Sequence, residues 1–226
     1  MIQRNTALRR VGAALLAVVM LLSLAACGKE KFDASGYVDA ALKLYTTGDG
    51  EALKAYAGKA VTEDEKKYDQ EISSALEAMV GASGTMMPDS VKTEFKDMVK
   101  SMLGSISYTV GESKELTEGS AEGYEVPVTI KPLQINIKDD LNTWAETFKS
   151  SINPSEVQDM SKLYEQVYTE VASLMKKAVE KKEYGEETTL TIPVTKNQDG
   201  LYEMDQTAFQ NVMKGSFATD ITDALG

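Results

Sequence analysis

Residues 123–131 read GYEVPVTIK. Tyr124, Val126, Val128 and Ile130 alternate with Glu125, Pro127, Thr129 and Lys131, a period of two that sends every large apolar side chain to one face of a strand. Upstream, Ile106, Tyr108 and Val110 alternate with Ser107 and Thr109, and the stretch from Gly119 to Gly123 supplies a turn. Together they predict an antiparallel hairpin with one apolar face. The pattern returns at Leu190, Ile192 and Val194, where Asn197-Gln198-Asp199-Gly200 turns the chain and Tyr202 and Met204 continue as a partner strand. VPVT at 126–129 and IPVT at 192–195 echo each other. A proline inside a strand removes a ladder donor, so both are expected at an edge or a bulge.

Outside these strands the period is helical. Tyr37, Val38, Ala41, Leu42 and Tyr45 share one face of a helix over 33–46, which Gly48-Asp49-Gly50 ends. A shorter piece carries Leu53 and Tyr56. Thr62-Glu63-Asp64-Glu65 forms a capping box before a run through Tyr68, Ile72 and Met79. GASGTMMPDS at 81–90 is a loop, and Pro88 suits the first turn of the helix bearing Val91, Phe95, Met98 and Met102. Pro132 interrupts the first strand set, and Trp144 and Phe148 belong to a further helix. Asn153-Pro154 opens a long one to about Glu183, with a heptad-like seam of Met160, Tyr164, Val167, Val171, Leu174 and Ala178 that is expected to pack on the sheet. Asp205 caps a last short helix through Phe209, Val212 and Met213. The order predicts an α+β fold: an antiparallel sheet of about four strands packed with several helices.

The first 26 residues stand apart. Arg4, Arg9 and Arg10 precede an apolar run from Val11 to Leu22, and Ala25 and Ala26 lead into Cys27, the layout of a secretory signal. The run is shorter than the roughly 20 residues of a membrane span. Leu24-Ala25-Ala26-Cys27 resembles the lipobox of bacterial lipoproteins at all four positions. That resemblance implies a diacylglyceryl group on the Cys27 thiol and cleavage before it. Two acyl chains, at roughly 0.8 kcal/mol per buried methylene, hold a protein stably to a bilayer. Gly28-Lys29-Glu30-Lys31 is then a tether reaching at most roughly 15 Å. The organisation expected is a signal peptide over 1–26, a lipidated tether over 27–32, one α+β domain over 33–214 and a C-terminal tail over 215–226.

Charge narrows the partners. The chain has 24 Lys and Arg against 35 Asp and Glu. The leader holds three of the arginines and no acid, so residues 27–226 carry 21 against 35, a net charge of −14. Nucleic acid, which is bound through clustered Lys and Arg, is not an expected partner. Anionic lipid should repel the domain and keep it from lying flat on the membrane.

The residue inventory narrows the chemistry further. The chain has no histidine and one cysteine. A Ser-His-Asp triad and a His-bearing metal site are excluded, and lipidated Cys27 leaves no thiol nucleophile. Neither a P-loop nor a GxGxxG run occurs. Ser173-Leu174-Met175-Lys176 has the S-x-x-K spacing of penicillin-binding enzymes but none of their partner motifs. Asp139-Asp140 and Glu186-Glu187 are adjacent acids, which diverge rather than converge. No cofactor is expected.

Beyond the lipobox, GYVDAALKLYTTGD, GYEVPVTIKPLQI and TLTIPVTKNQDGLYEMD resemble an uncharacterised class of small Gram-positive lipoproteins. The resemblance implies a cystatin-like or nuclear-transport-factor-like form, a helix cradled by a curved sheet, with no activity assigned. The function expected is a non-enzymatic lipoprotein, anchored on the extracytoplasmic face of the cell membrane, whose domain binds a small apolar ligand or an envelope protein. The alternative is a carboxylate-based hydrolase acting at the cell envelope. Met86 and Met87, apolar residues in a glycine-bearing loop, are the candidate contact loop.

Overall fold

The computed structural model describes residues 32–57, 67–74, 76, 88–116, 122–151 and 160–219. The leader with Leu24, Ala25, Ala26 and Cys27, residues 27–31 of the expected tether, the box at 62–65, Met86 and Met87, residues 117–121 of the turn before Gly123 and the Asn153-Pro154 helix start all lie outside the described residues, whereas Phe32, read as the tether's last residue, is packed into the domain.

Three strands carry the sheet. β3 (Gly123–Lys131) pairs antiparallel with β1 (Ser107–Val110) on one side and with β5 (Thr188–Lys196) on the other. β2 (Lys114–Glu115) continues the β1 side, and β6 (Tyr202–Met204) extends the sheet beyond β5. The result is a curled antiparallel half-barrel, as the alternating patterns require. In β3, Tyr124, Val126, Val128 and Ile130 are buried while Glu125 and Lys131 are exposed. Ile192 and Val194 of β5 join the same face.

Both prolines sit in interior strands, which corrects the expectation of an edge, yet each meets the condition behind it. The Pro127 carbonyl accepts from Gly111 N–H at 2.8 Å, one residue past the end of β1. The Pro193 carbonyl accepts from Asp205 N–H at 2.8 Å, one residue past β6. In an antiparallel strand the N–H and C=O of a residue face the same neighbour. Each missing donor therefore points where the outer strand has just stopped, and the β3–β5 ladder between them loses nothing.

The apolar face is covered by α1 (Ala34–Thr47) and by α6 (Gln206–Gly215). Tyr37, Val38, Ala41, Leu42 and Tyr45 of α1 meet Val126, Val128, Ile130 and Ile192 in one cluster, which Phe209, Val212 and Met213 of α6 complete. This is the helix-on-curved-sheet form expected. Asp33 caps α1, its Oδ1 accepting from Gly36 N–H at 2.8 Å. Gly48 closes the other end in the left-handed region at φ 75°. Gly123 allows another close approach: a Cβ there would stand 2.6 Å from the Val194 carbonyl oxygen across the ladder.

Beyond α1 stand α2 (Lys54–Ala57), a helical stretch at 67–74, α3 (Asp89–Gly104), α4 (Lys138–Ser151) and α5 (Met160–Lys181). The long helix α5 departs from the expectation. It packs chiefly against α3 and β4 (Leu133–Ile135) rather than on the main sheet. Leu174, Ala178 and Val179 of α5 form a second cluster with Leu133, Ile135 and Ile137. β4 pairs in parallel with β7 (Phe217–Thr219), in the stretch read as the start of the tail. Leu133 N–H donates to the Ser216 carbonyl at 2.9 Å at the start of that pair. Phe217 bridges both clusters.

Ile192 has no exposed surface, whereas Thr191 beside it is exposed. Ile192→Ala should destabilise by about 2–5 kcal/mol through lost burial and the cavity left behind, and Thr191→Ala by no more than about 0.5 kcal/mol. Urea unfolding followed by circular dichroism measures both. Equal effects would contradict the facing assigned to β5.

Candidate functional site

Two features stand apart from ordinary core packing. The first is an aromatic cluster where the described chain begins. The Phe32 ring stacks on Tyr202 at 4.2 Å between centroids and 10° between planes. It meets Tyr37 edge-on at 5.7 Å and Tyr56 at 6.0 Å, with Tyr124 at 6.2 Å. Four chain segments supply this seat: the start of α1, the α2 turn, the first residues of β3 and the first of β6. Such ring pairs each contribute roughly 0.5–1.5 kcal/mol beyond the area they bury.

Polar groups close the rim. Tyr56 Oη donates to Asp33 Oδ2 at 3.0 Å, so one carboxylate both caps α1 and holds the ring. Tyr202 Oη donates to Glu122 Oε1 at 2.8 Å, and Lys196 Nζ reaches Glu122 Oε2 at 3.0 Å. Lys196 also stands 5.6 Å from the centre of the Tyr202 ring. The ammonium of Lys196 and, after it, the Tyr202 hydroxyl hold the Glu122 carboxyl below its usual range. Burial raises the Tyr37 and Tyr202 hydroxyls well above their ordinary value. Burial, and then the bond to Asp33, pushes Tyr56 up to about 12.

The second feature is a cleft of about 620 Å³ between α4 and α5. Its floor is a shelf made by Trp144 and Phe148, one helical turn apart and stacked at 4.6 Å and 15°. Lys162, Glu165, Gln166, Thr169 and Glu170 of α5 form the opposite wall, with Ser151 at the end of α4. No residue of α4 is buried. Ile137, just before it, is rooted in the second cluster, and Leu141 packs against that cluster. From there the helix leaves the core, half-covering its apolar stripe against α5. A smaller hollow of about 330 Å³ lies at the other end of α1, beside Thr46, Gly48, Tyr68 and Gly104, with the Asp69–Lys100 ion pair at 2.6 Å on its rim.

The remaining sequence candidates fall elsewhere. Ser173 is half-buried and Lys176 exposed on α5, outside the cleft. Asp139 and Asp140 occupy the first turn of α4, where carboxylates favour the helix dipole. Glu187 pairs with Lys131 at 2.9 Å. Asn197 Oδ1 accepts from the N–H groups of Asp199 and Leu201, and Gly200 has φ 81°, so the Asn197–Gly200 stretch is a hairpin turn. Among the described residues no group of three or more Cys, Asp or Glu is placed to hold a metal ion. No helix among them is long and apolar enough to cross a membrane. Met98, Met204 and Met213 fill the core.

Sequence reasoning placed Trp144 and Phe148 on a helix but had no signal that the helix leaves the core. It did not anticipate the seat, because residues 32, 37, 56, 124 and 202 share no local pattern.

No family model matches the chain, and no curated protein matches it. Among solved structures, the fold is similar to the crystal structure of YcdA, a candidate lipoprotein of Bacillus subtilis, with a TM-score of 0.51 and 14% identity. The match covers 83% of this chain and 56% of that one, so this chain spans little more than half the length of YcdA. At that identity the likeness is one of fold. It agrees with the resemblance to small Gram-positive lipoproteins read from the sequence.

The tyrosines make the fold sensitive to alkali. Tyr56 and Tyr68 are pushed from an ordinary 10.0 to about 12, mainly by burial. Folding favours their neutral form, so the stability tied to them is complete below pH 10 and is lost as pH rises towards about 12. Tyrosinate absorbance should lag that of free tyrosine and rise together with loss of circular dichroism. A titration centred on the ordinary value, with the fold intact, would contradict the burial.

Proposed function

We propose that this protein is a lipid-anchored, non-enzymatic binding protein on the extracytoplasmic face of the cell membrane, attached through Cys27, whose cleft between α4 and α5 receives a segment of another envelope protein. The observation that carries the reading is α4 itself: a 14-residue helix with no buried residue that nevertheless stacks two large aromatic rings beside an open cleft. Half-exposed Trp and aromatic shelves are typical anchors of protein interfaces. The Leu24-Ala25-Ala26-Cys27 lipobox supports the anchor, and the likeness of fold to a Bacillus lipoprotein is in keeping with it.

Of the two ligand classes considered, the cleft favours the polypeptide. A small apolar molecule gains most where 70–90% of its surface is enclosed. Here the aromatic shelf is open on one side and faces Lys162, Glu165, Gln166 and Glu170 on the other. An amphipathic segment, with an apolar side chain on the shelf and polar groups against the α5 wall, satisfies both surfaces. The non-enzymatic reading is supported by the placement of the cleft acids. Glu165 and Glu170 both stand on α5, on the same wall of the cleft. A glycosidase pair must instead face one bond from both sides at roughly 5–10 Å.

Two measurements test this. Cys27→Ala should move the protein from the membrane fraction to the soluble fraction; retention in membranes would defeat the anchor. A photo-crosslinking residue in place of Phe148 should form protein adducts in cells, whereas one in place of Thr129, on the opposite face of the sheet, should not. Adducts from neither position, or equally from both, would remove the cleft from the proposal.

A further inference from the structure

We infer that the domain stands on the membrane with one defined face inward: the end of the sheet that holds the Phe32 seat faces the lipid headgroups, and the opposite end is displayed outward. This rests on the lipidation of Cys27 proposed above.

The argument begins with reach. Phe32 is five residues from Cys27, so its backbone stays within roughly 17 Å of the acylated residue whatever path the chain takes. β3 has nine residues and spans about 27 Å. The tether is therefore shorter than the sheet. It holds the beginning of β3, the end of β5 and the beginning of β6 near the bilayer. Lys131, Thr188 and the C-terminal end of α1 approach it only if the whole domain rolls onto its side.

The attachment is also directional. Phe32 is stacked on Tyr202 and edged by Tyr37 and Tyr56, and the next residue, Asp33, is tied to Gly36 and Tyr56. Two successive residues are thus locked to the domain, so the domain begins at Phe32, five residues after Cys27. A chain held in this way sets direction as well as distance.

Charge acts in the same sense. Residues 27–226 carry a net charge of −14, so a domain lying flat brings many carboxylates within the roughly 8 Å over which an anionic headgroup surface is felt at physiological salt. Standing on the seat end brings only part of that excess close: among the described residues, Asp33, Glu115, Glu122, Glu125, Asp199 and Glu203, with Lys114 and Lys196 beside them. The partner of this face is accordingly the headgroup layer, met through a short tether and not through adhesion. The hollow beside Thr46, Gly48 and Tyr68 then opens away from the membrane.

The test uses the full lipidated chain in phosphatidylcholine vesicles containing a nickel-chelating lipid. Cys27 is the only native cysteine and is acylated, so a single introduced thiol takes a spin label. Labels go to Asp199→Cys at the seat end or Thr188→Cys at the far end, both exposed positions. Nickel should broaden the signal strongly at 199 and weakly at 188. A flexible Gly-Ser insert of about 20 residues between Lys31 and Phe32, adding about 25 Å of reach, should abolish that difference while the protein still floats with the vesicles. Equal broadening at the two positions with the native tether, or stronger broadening at 188, overturns the inference. A difference that survives the insert also overturns it, because adhesion would then set the orientation. Failure to float at all removes the anchor reading and this inference together.

Discussion

The ladder between β3 and β5 holds the molecule together. Its register runs from Gly123 opposite Thr195 to Ile130 opposite Thr188, joining residues 58 to 72 positions apart. At its centre Val126 faces Ile192, and neither has exposed surface. Closing so long a loop costs entropy that returns only when both strands bury their apolar faces together. The two prolines show how strictly the pairing is arranged: each lies beside this central pair, and each turns its missing donor outward. β1, β2 and β6 then extend the two strands, and α1 and α6 find a ready apolar surface.

Everything with a prospective function hangs from the two ends of that ladder. At one end Tyr124 and Tyr202 open β3 and β6, and with Tyr37 and Tyr56 they receive Phe32, next to the tether. At the other end the chain leaves β3 through Pro132, pairs β4 with β7, and launches α4 away from the core. The sheet separates the Phe32 seat from the elements beyond it. A curled antiparallel sheet with a filled core deforms little, so its two ends keep their separation.

The parts of this protein legible in the linear chain are those whose physics is local. A period of two or of 3.6 is a property of consecutive residues, so the strands around Val126 and Ile192 and the helix through Tyr37 could be read directly. Asp33 and Gly48 mark the ends of α1 for the same reason. The resemblance of Leu24-Ala25-Ala26-Cys27 to a lipobox is likewise carried by four consecutive residues and draws on no tertiary contact. The α5 seam was read correctly as apolar but assigned the wrong neighbour. A helical stripe states that something covers it and is silent about whether that is a sheet or α3 and β4.

By itself, then, the sequence determined the α+β class, the antiparallel pairing of adjacent strands and the absence of histidine chemistry, and it alone carries the candidate export signal and lipid attachment. Tertiary structure alone decided the rest. The parallel β4–β7 pair joins residues some 80 positions apart through short segments with no alternation long enough to read. The seat draws its rings from four separate segments. The exposure of Trp144 and Phe148 depends on what α4 fails to touch. In each case the deciding quantity is a distance between segments remote in sequence, which only the packing of the whole chain sets.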